Sequence, residues 1–174
     1  MSTTTTMPTQ IVAEPLTAQA FSPFGAVVSA GLQAGSSANQ GTAVRFDRCA
    51  PVTNTRPLTA TPNMAVFRST AKSLPFAVRL LEQHPCSTQA FLPMICSRFL
   101  VVVAPTSNDG GPDVSGLRAF VCAPGQGITY AVGVWHHPII ALDVDADFVM
   151  LAFEDGSALD CVEHPLVQPI DVVT

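Results

Sequence analysis

The stretch Pro124–Ile140, PGQGITYAVGVWHHPII, holds the only tryptophan, the only tyrosine and two of the four histidines of the chain. Gly125, Gly127 and Gly133 punctuate it, and glycine is the residue that lets a backbone turn through positive φ or approach another segment closely. The run reaches Trp135-His136-His137-Pro138 and then opens into a hydrophobic strand. Imidazoles set between such turns form a plausible pocket wall, because they serve as acid, base or ligand near neutral pH. The competing reading puts Trp135 in the core and the histidines on the surface. The remainder of the chain decides between them.

Working outward, the 174 residues suit one domain with a substantial core. Hydrophobic residues make up 48% and charged residues 12%, so the surface is lightly charged or partly covered by a second copy. That composition favours a homo-oligomer. A net charge of −5 argues against nucleic acid or an anionic membrane as partner, since both call for a basic footprint. No stretch is apolar for long enough to span a bilayer. The start, MSTTTTMPTQ, lacks the features of a secretory signal and reads as a flexible tail over 1–10, ahead of a single domain over 11–174. The five cysteines are scattered, odd in number and without a CxxC, which reads as reduced thiols in a cytoplasmic protein.

Short strands dominate the rest. Thr17 caps a helical turn ended by Ser22-Pro23, and a strand follows over 24–28. Residues 31–43 form a long polar loop. Strands are expected at 44–46, 64–68, 76–84, 91–94, 99–104, 117–122 and 147–153, with a helical turn at 113–116 and a hairpin turn at 154–157. Phe99-Leu-Val-Val-Val-Ala104 is apolar without alternation and so is buried on both faces. Frequent turns and little helix give an all-β sandwich or closed barrel. No βαβ alternation, GxGxxG or Walker loop points to a nucleotide.

Two groups of residues carry chemistry. On a strand, Glu82 and His84 share one face, with Gln89 on the returning strand. The second group is Gly133-x-x-His136. This spacing resembles the two motifs of cupin barrels, which carry two ligands one residue apart, a carboxylate five residues on, and then a glycine, two residues and a histidine. Here Glu82 stands where cupins usually have histidine, and Gln89 where they usually have glutamate. A neutral amide is a poor metal ligand, so the resemblance implies a cupin jelly-roll barrel whose metal site is weakened or lost, with no metal or other cofactor expected.

The resemblance extends further. His84-Pro85-x3-Gln89-Ala-Phe-Leu-Pro-Met94, Phe99–Ala104, Leu117-Arg-Ala-Phe120, the 124–138 motif and Asp147-Phe148 are similar to ureidoglycolate lyases, formerly called ureidoglycolate hydrolases. Phe21-Ser22-x-Phe24-Gly25, Asn39-Gln-Gly-Thr42-x2-Arg45 and Phe67-Arg68 support it upstream, so the similarity covers about residues 11–165. It implies a cupin-like homodimer in allantoin and purine breakdown that releases urea from ureidoglycolate and leaves glyoxylate. Members of that family often carry a histidine just after the motif tyrosine; this chain has Ala131.

Ureidoglycolate bears a hydroxyl, a carboxylate and a urea nitrogen on one carbon. Its lysis needs a base for the hydroxyl, an acid for the leaving nitrogen and a cation for the carboxylate. His136 and His84 suit the proton transfers, and Glu82 orients His84 or acts as base. Arg68 or Arg45 would clamp the carboxylate through paired hydrogen bonds, although each reads equally as a surface ion pair. Gln89, Tyr130 and Asn39 are the candidates for the urea end, with Tyr130 as plain core the alternative. His137 alternates away from His136 and reads as structural. Two other readings stay open: a metal-dependent cupin dioxygenase or isomerase with Glu82, His84, Gln89 and His136 as ligands, and a cupin that binds a small molecule without turning it over.

Overall fold

In the computed structural model, residues 8–174 are described. Residues 1–7 of the expected tail lie outside them. The first strand, β1 (Gln10–Pro15), begins within the last residue of that expected tail. It is followed by the helical turn α1 (Ala18–Phe21), whose first turn is capped as expected: the Thr17 hydroxyl accepts from the Ala20 amide at 3.1 Å. Then come β2 (Gly25–Val28), β3 (Ser36–Ala38), β4 (Ala43–Arg45), β5 (Thr61–Ser69), β6 (Phe76–Gln83), β7 (Gln89–Ile95) and β8 (Arg98–Ala104). The chain continues with β9 (Arg118–Cys122), β10 (Gly127–Tyr130), β11 (Trp135–His136), β12 (Ile140–Leu142), β13 (Ala146–Glu154) and β14 (Val162–Val173).

The strands form a closed ring and an open sheet packed on it. In the ring, β11, β6, β14, β1, β9 and β8 are neighbours in turn, and β8 returns to β11. Closure removes the unpaired edges that an open sheet presents. The open sheet runs β2-β10-β7-β13-β5. This is the all-β, cupin-like jelly-roll class expected from the sequence.

The double-sided burial of β8 organises both cores. Phe99, Val101 and Val103 face the layer between ring and open sheet, where they join Phe21, Phe120, Phe148 and Tyr130. Leu100, Val102 and Ala104 face the ring interior with Val78, Leu81, Trp135 and Val172. Each fully buried Phe, Leu or Val side chain contributes about 1.5–3 kcal/mol through removal from water. Edge-to-face contacts such as Phe99–Phe148, centroids 5.3 Å apart, orient the aromatic layer. At Gly25 (φ 154°) β2 crosses β10 so closely that a Cβ would lie 1.9 Å from the Thr129 carbonyl oxygen.

Several local expectations change. Residues 31–43 hold β3 and a left-handed turn, with Asn39, Gln40 and Gly41 all at positive φ, rather than plain loop. Glu154–Ser157 is not a hairpin turn: after β13 the chain leaves the open sheet and enters the ring, where β14 pairs with β6. Asp160 organises this crossing by accepting from the Asp155 and Gly156 amides. The sequence reading passed over β14 because Pro165 and Pro169 interrupt it. A register shift between Pro165 and Ile170 accommodates both prolines.

Candidate active site

Strand pairing assembles the site from distant parts of the chain. His136 on β11 lies directly opposite Glu82 on β6. Two residues beyond Glu82, His84 falls on the same face. Gln89 starts β7 in register with Tyr130 on β10. The structure therefore brings together Glu82, His84, Gln89 and His136, the residues of both sequence motifs. They sit between the ring and the open sheet: Glu82, His84 and Gln89 line a cavity of about 430 Å³, and His136 lies buried behind them against Gln89 and Glu82. Glu82, His84, Gln89, Phe67, Phe91 and Glu154 are among its lining residues. A larger groove of about 690 Å³ lies between the 107–115 loop and β14, but no comparable group of imidazoles converges there.

Backbone carbonyls fix both imidazoles. His84 Nδ1 donates to the Asp160 carbonyl, and His136 Nδ1 donates to the Val134 carbonyl at 2.8 Å. With Nδ1 carrying the proton, the Nε2 lone pairs turn toward the site. His84 Nε2 is buried and has no hydrogen-bond partner among the described residues. His136 Nε2 lies 3.2 Å from Gln89 Oε1 and 3.5 Å from Glu82 Oε1. A neutral His136 accepts from the Gln89 amide NH2 after amide rotation; a protonated one donates to both oxygens.

The electrostatics follow from this packing. Burial acts to raise the Glu82 carboxyl pKa, but the hydrogen bond to His136 and the charges of both imidazoles outweigh it and hold Glu82 below its usual value. Burial first, and then the charge of His136, push His84 below the ordinary imidazole range, against the Asp160 carbonyl and Glu82. The pair presented to the cavity is thus an ionised carboxylate and a neutral imidazole. Cys161 approaches Glu82 Oε2 at 3.7 Å; burial and the neighbouring carboxylates raise its thiol to about 11, so it stays protonated.

Other candidate residues are placed differently. Tyr130 is buried behind the cluster, its ring stacked on His136 with centroids 3.9 Å apart, and it does not line the cavity. Arg68 borders the cavity, but its guanidinium makes a two-pronged ion pair with Asp147. By strand alternation Arg68 faces away from Phe67 and Ser69. Arg45 pairs with Asp47 on the exposed β3–β4 hairpin, and Asn39 forms the tip of that hairpin. Ala131, at the position where the resembled family often has histidine, lies outside the cavity lining, and its amide donates to the Phe24 carbonyl. His137 packs edge-on against Phe76, apart from the cluster.

Sequence reasoning missed Glu154. It ends β13 on the same face as buried Phe148, Met150 and Ala152, which turns it inward. No sequence signal marked it, since 148–153 is apolar throughout; only the alternating burial of β13 shows that position 154 continues the inward face.

The donors also meet the requirements of a metal site, which cupin barrels commonly hold. Ligand atoms of Glu82, His84 and His136 all lie within 4.8 Å of one another. Two imidazole nitrogens and a carboxylate suit first-row divalent ions, and an Nδ1–H bonded to a backbone carbonyl is the usual outer support of a ligating histidine. The unpartnered His84 Nε2 is a lone pair in want of a cation or a proton donor. The three donors could hold such an ion.

Fold and site together define a cupin-type barrel with a buried histidine–histidine–carboxylate cluster. The sequence pattern of ureidoglycolate lyases matches residues 8–173. Two relatives from Pseudomonas fluorescens, both named ureidoglycolate lyase, are similar along most of their length. The one from strain Pf-5 is 40% identical over 155 residues, covering 88% of this chain and 90% of the relative. The one from strain Pf0-1 is 41% identical over 156 residues, covering 87% and 88%. A Pseudomonas putida W619 protein of the same name is 39% identical over 155 residues, covering 88% and 90%. The chain belongs to the ureidoglycolate lyase family.

Proposed function

We propose that the protein cleaves ureidoglycolate to glyoxylate and urea at the Glu82–His84–His136 cluster. The observation that carries this is the bare, neutral Nε2 of His84 beside ionised Glu82 at the cavity wall. Lysis breaks the bond between the substrate's central carbon and the urea nitrogen. The hydroxyl loses its proton, its oxygen forms the new carbonyl, and the urea nitrogen gains a proton, so the atoms balance without water. His84 Nε2 takes the hydroxyl proton. The resulting His84 imidazolium returns that proton to the urea nitrogen as the bond breaks, while ionised Glu82, 3.5 Å from His136 Nε2, stabilises the positive charge in between. Tyr130 holds the His136 ring from behind.

A second reading is favoured by charge. Glu82 and Glu154 line the cavity, while its one bordering cation, Arg68, is engaged by Asp147. An anionic substrate entering beside two carboxylates needs positive charge inside. Glu82, His84 and His136 would hold a divalent ion there, and such an ion would supply charge for the substrate's carboxylate and acidify its hydroxyl. Gln89 then supports His136 from the side.

The lyase reading carries with it a cytoplasmic role in allantoin and purine nitrogen breakdown, and a homodimer. The outer face of the open sheet supports the dimer: Met64, Val66, Leu92 and Met94 are all exposed there. No helix among the described residues is long and apolar enough to cross a membrane.

The test is urea and glyoxylate release from ureidoglycolate by the purified protein, with and without chelator, for wild type and His136→Ala. Wild-type turnover with a loss of about 10²–10⁴-fold in the variant is expected. Turnover that survives chelation supports the metal-free proton transfer; turnover restored by one added metal supports the second reading. Full activity in His136→Ala sinks the assignment of this cluster.

A further inference from the structure

We propose that Glu154 recognises the ureido end of the substrate, a role resting on the lyase reading above. Glu154 lines the same cavity as Glu82, His84 and Gln89. It closes β13 on the inward face, and Asn63 on the neighbouring β5 donates to its Oε2 at 2.6 Å. That bond fixes the carboxylate rotamer; Oε1 takes no hydrogen bond from the described residues.

The chemistry of the substrate selects this pairing. One end of ureidoglycolate is a carboxylate, which a fixed carboxylate repels. The other end is a terminal NH2 beside an N–H, both donors, which a carboxylate accepts through charge-assisted hydrogen bonds. Gln89 supplies an amide able to meet the urea carbonyl or a further N–H. Glu154 therefore sets which way round the substrate lies: ureido end toward β13, carboxylate end away from it. It takes the place at the urea end expected of Tyr130 and Asn39, both of which lie outside the cavity lining.

Two unreactive analogues read this out. Ureidoacetate keeps the carboxylate and the terminal NH2 but lacks the hydroxyl; N-acetylglycine replaces the terminal NH2 by a methyl group. Wild-type protein should bind ureidoacetate about tenfold or more tightly than N-acetylglycine, by calorimetry or by competitive inhibition, since a site built to bond an N–H rejects the analogue lacking it. In Glu154→Ala that preference should shrink to within about threefold, and in Glu154→Gln, which keeps the shape, it should fall to an intermediate value. Unchanged melting temperatures separate this from loss of fold. A wild-type protein without the preference, or a Glu154→Ala variant that retains it in full, overturns the proposal. Failure of the lyase reading shows separately, as absence of ureidoglycolate turnover by wild type.

Discussion

Replacing Tyr130 by Phe asks whether this tyrosine serves through its ring or its hydroxyl. The side chain is fully buried, and its Oη has no hydrogen-bond partner among the described residues. Burial first, and then the nearby Cys122 and Glu82, hold its phenol well above the ordinary tyrosine pKa, so it stays neutral at any pH the protein meets. An unsatisfied buried hydroxyl costs about 1–3 kcal/mol. The ring lies nearly parallel to the His136 imidazole, 15° apart in plane, and contacts Phe21 and Phe91; Phe keeps all of these contacts. Tyr130→Phe should therefore gain about 1 kcal/mol, which for a domain of this size is roughly 2–4 °C in Tm. Its kcat/KM for ureidoglycolate should stay within about threefold of wild type, whereas Tyr130→Leu, which removes the stack, should lose activity. Differential scanning calorimetry and a glyoxylate assay measure the two. A fall in Tm for Tyr130→Phe shows that the hydroxyl is bonded through water; a fall of more than about tenfold in kcat/KM shows that it meets substrate. Either result refutes the reasoning.

Three further outcomes follow from the same geometry. Arg68→Ala should leave KM within about threefold, because the guanidinium is already engaged by Asp147 on the outer side of the sheet; a tenfold rise would restore it as the carboxylate clamp. Gly25→Ala should cost at least about 3 kcal/mol, or roughly 6 °C or more in Tm, since the new methyl group meets the Thr129 carbonyl at 1.9 Å; an unchanged Tm would show that β2 can move off β10. Asp155 is held at about 2, chiefly by the hydrogen bond from Ser157 and further by Thr59 and Arg56. Because its folded value is depressed from 3.8, its contribution is present above that value and disappears as pH falls through about 2. Asp155→Asn should thus be less stable than wild type at neutral pH and converge with it between about pH 4 and pH 2, as followed by urea unfolding at stepped pH.

The fold was legible where burial writes a local pattern. Phe99–Ala104 had no alternation because it separates two cores, and the unbroken apolar run 148–153 marked β13, whose burial alternates because one face is covered. What stayed hidden was non-local. β1 lies parallel to both β9 and β14, pairings that no local periodicity encodes. β14 is a strand only because a bulge takes up its prolines. The site divided in the same way. Glu82, His84, Gln89 and His136 were found from spacing, since one turn and one strand ladder bring them together. Arg45, Arg68 and Asn39 were selected by residue type, and type does not reveal that Asp47 or Asp147 already holds the charge. Glu154 was hidden for the converse reason: it looked like the first residue of a turn, and only the topology of the crossing shows it to be the last inward residue of a strand.

The two departures from the usual cupin ligand pattern are better understood together than singly. Glutamate at 82 in place of histidine, and glutamine at 89 in place of glutamate, leave one carboxylate in the set and move it from β7 to β6. Both positions flank the same atom: Glu82 Oε1 and Gln89 Oε1 lie 3.5 Å and 3.2 Å from His136 Nε2. The charge presented to a cation is therefore conserved, and with Glu154 already in the cavity a further carboxylate at 89 would make it harder for an anionic substrate to enter. If charge rather than position governs cation binding, Glu82→Gln should weaken the affinity for Mn2+ or Zn2+ by at least about tenfold. The double variant Glu82→Gln/Gln89→Glu should then recover most of that loss. Calorimetric titration of the metal-free proteins reads both steps without reference to turnover. A double variant no better than the single one would show that the β6 carboxylate is needed where it stands, and that the exchange between the two strands is not an equivalent way of building the same site.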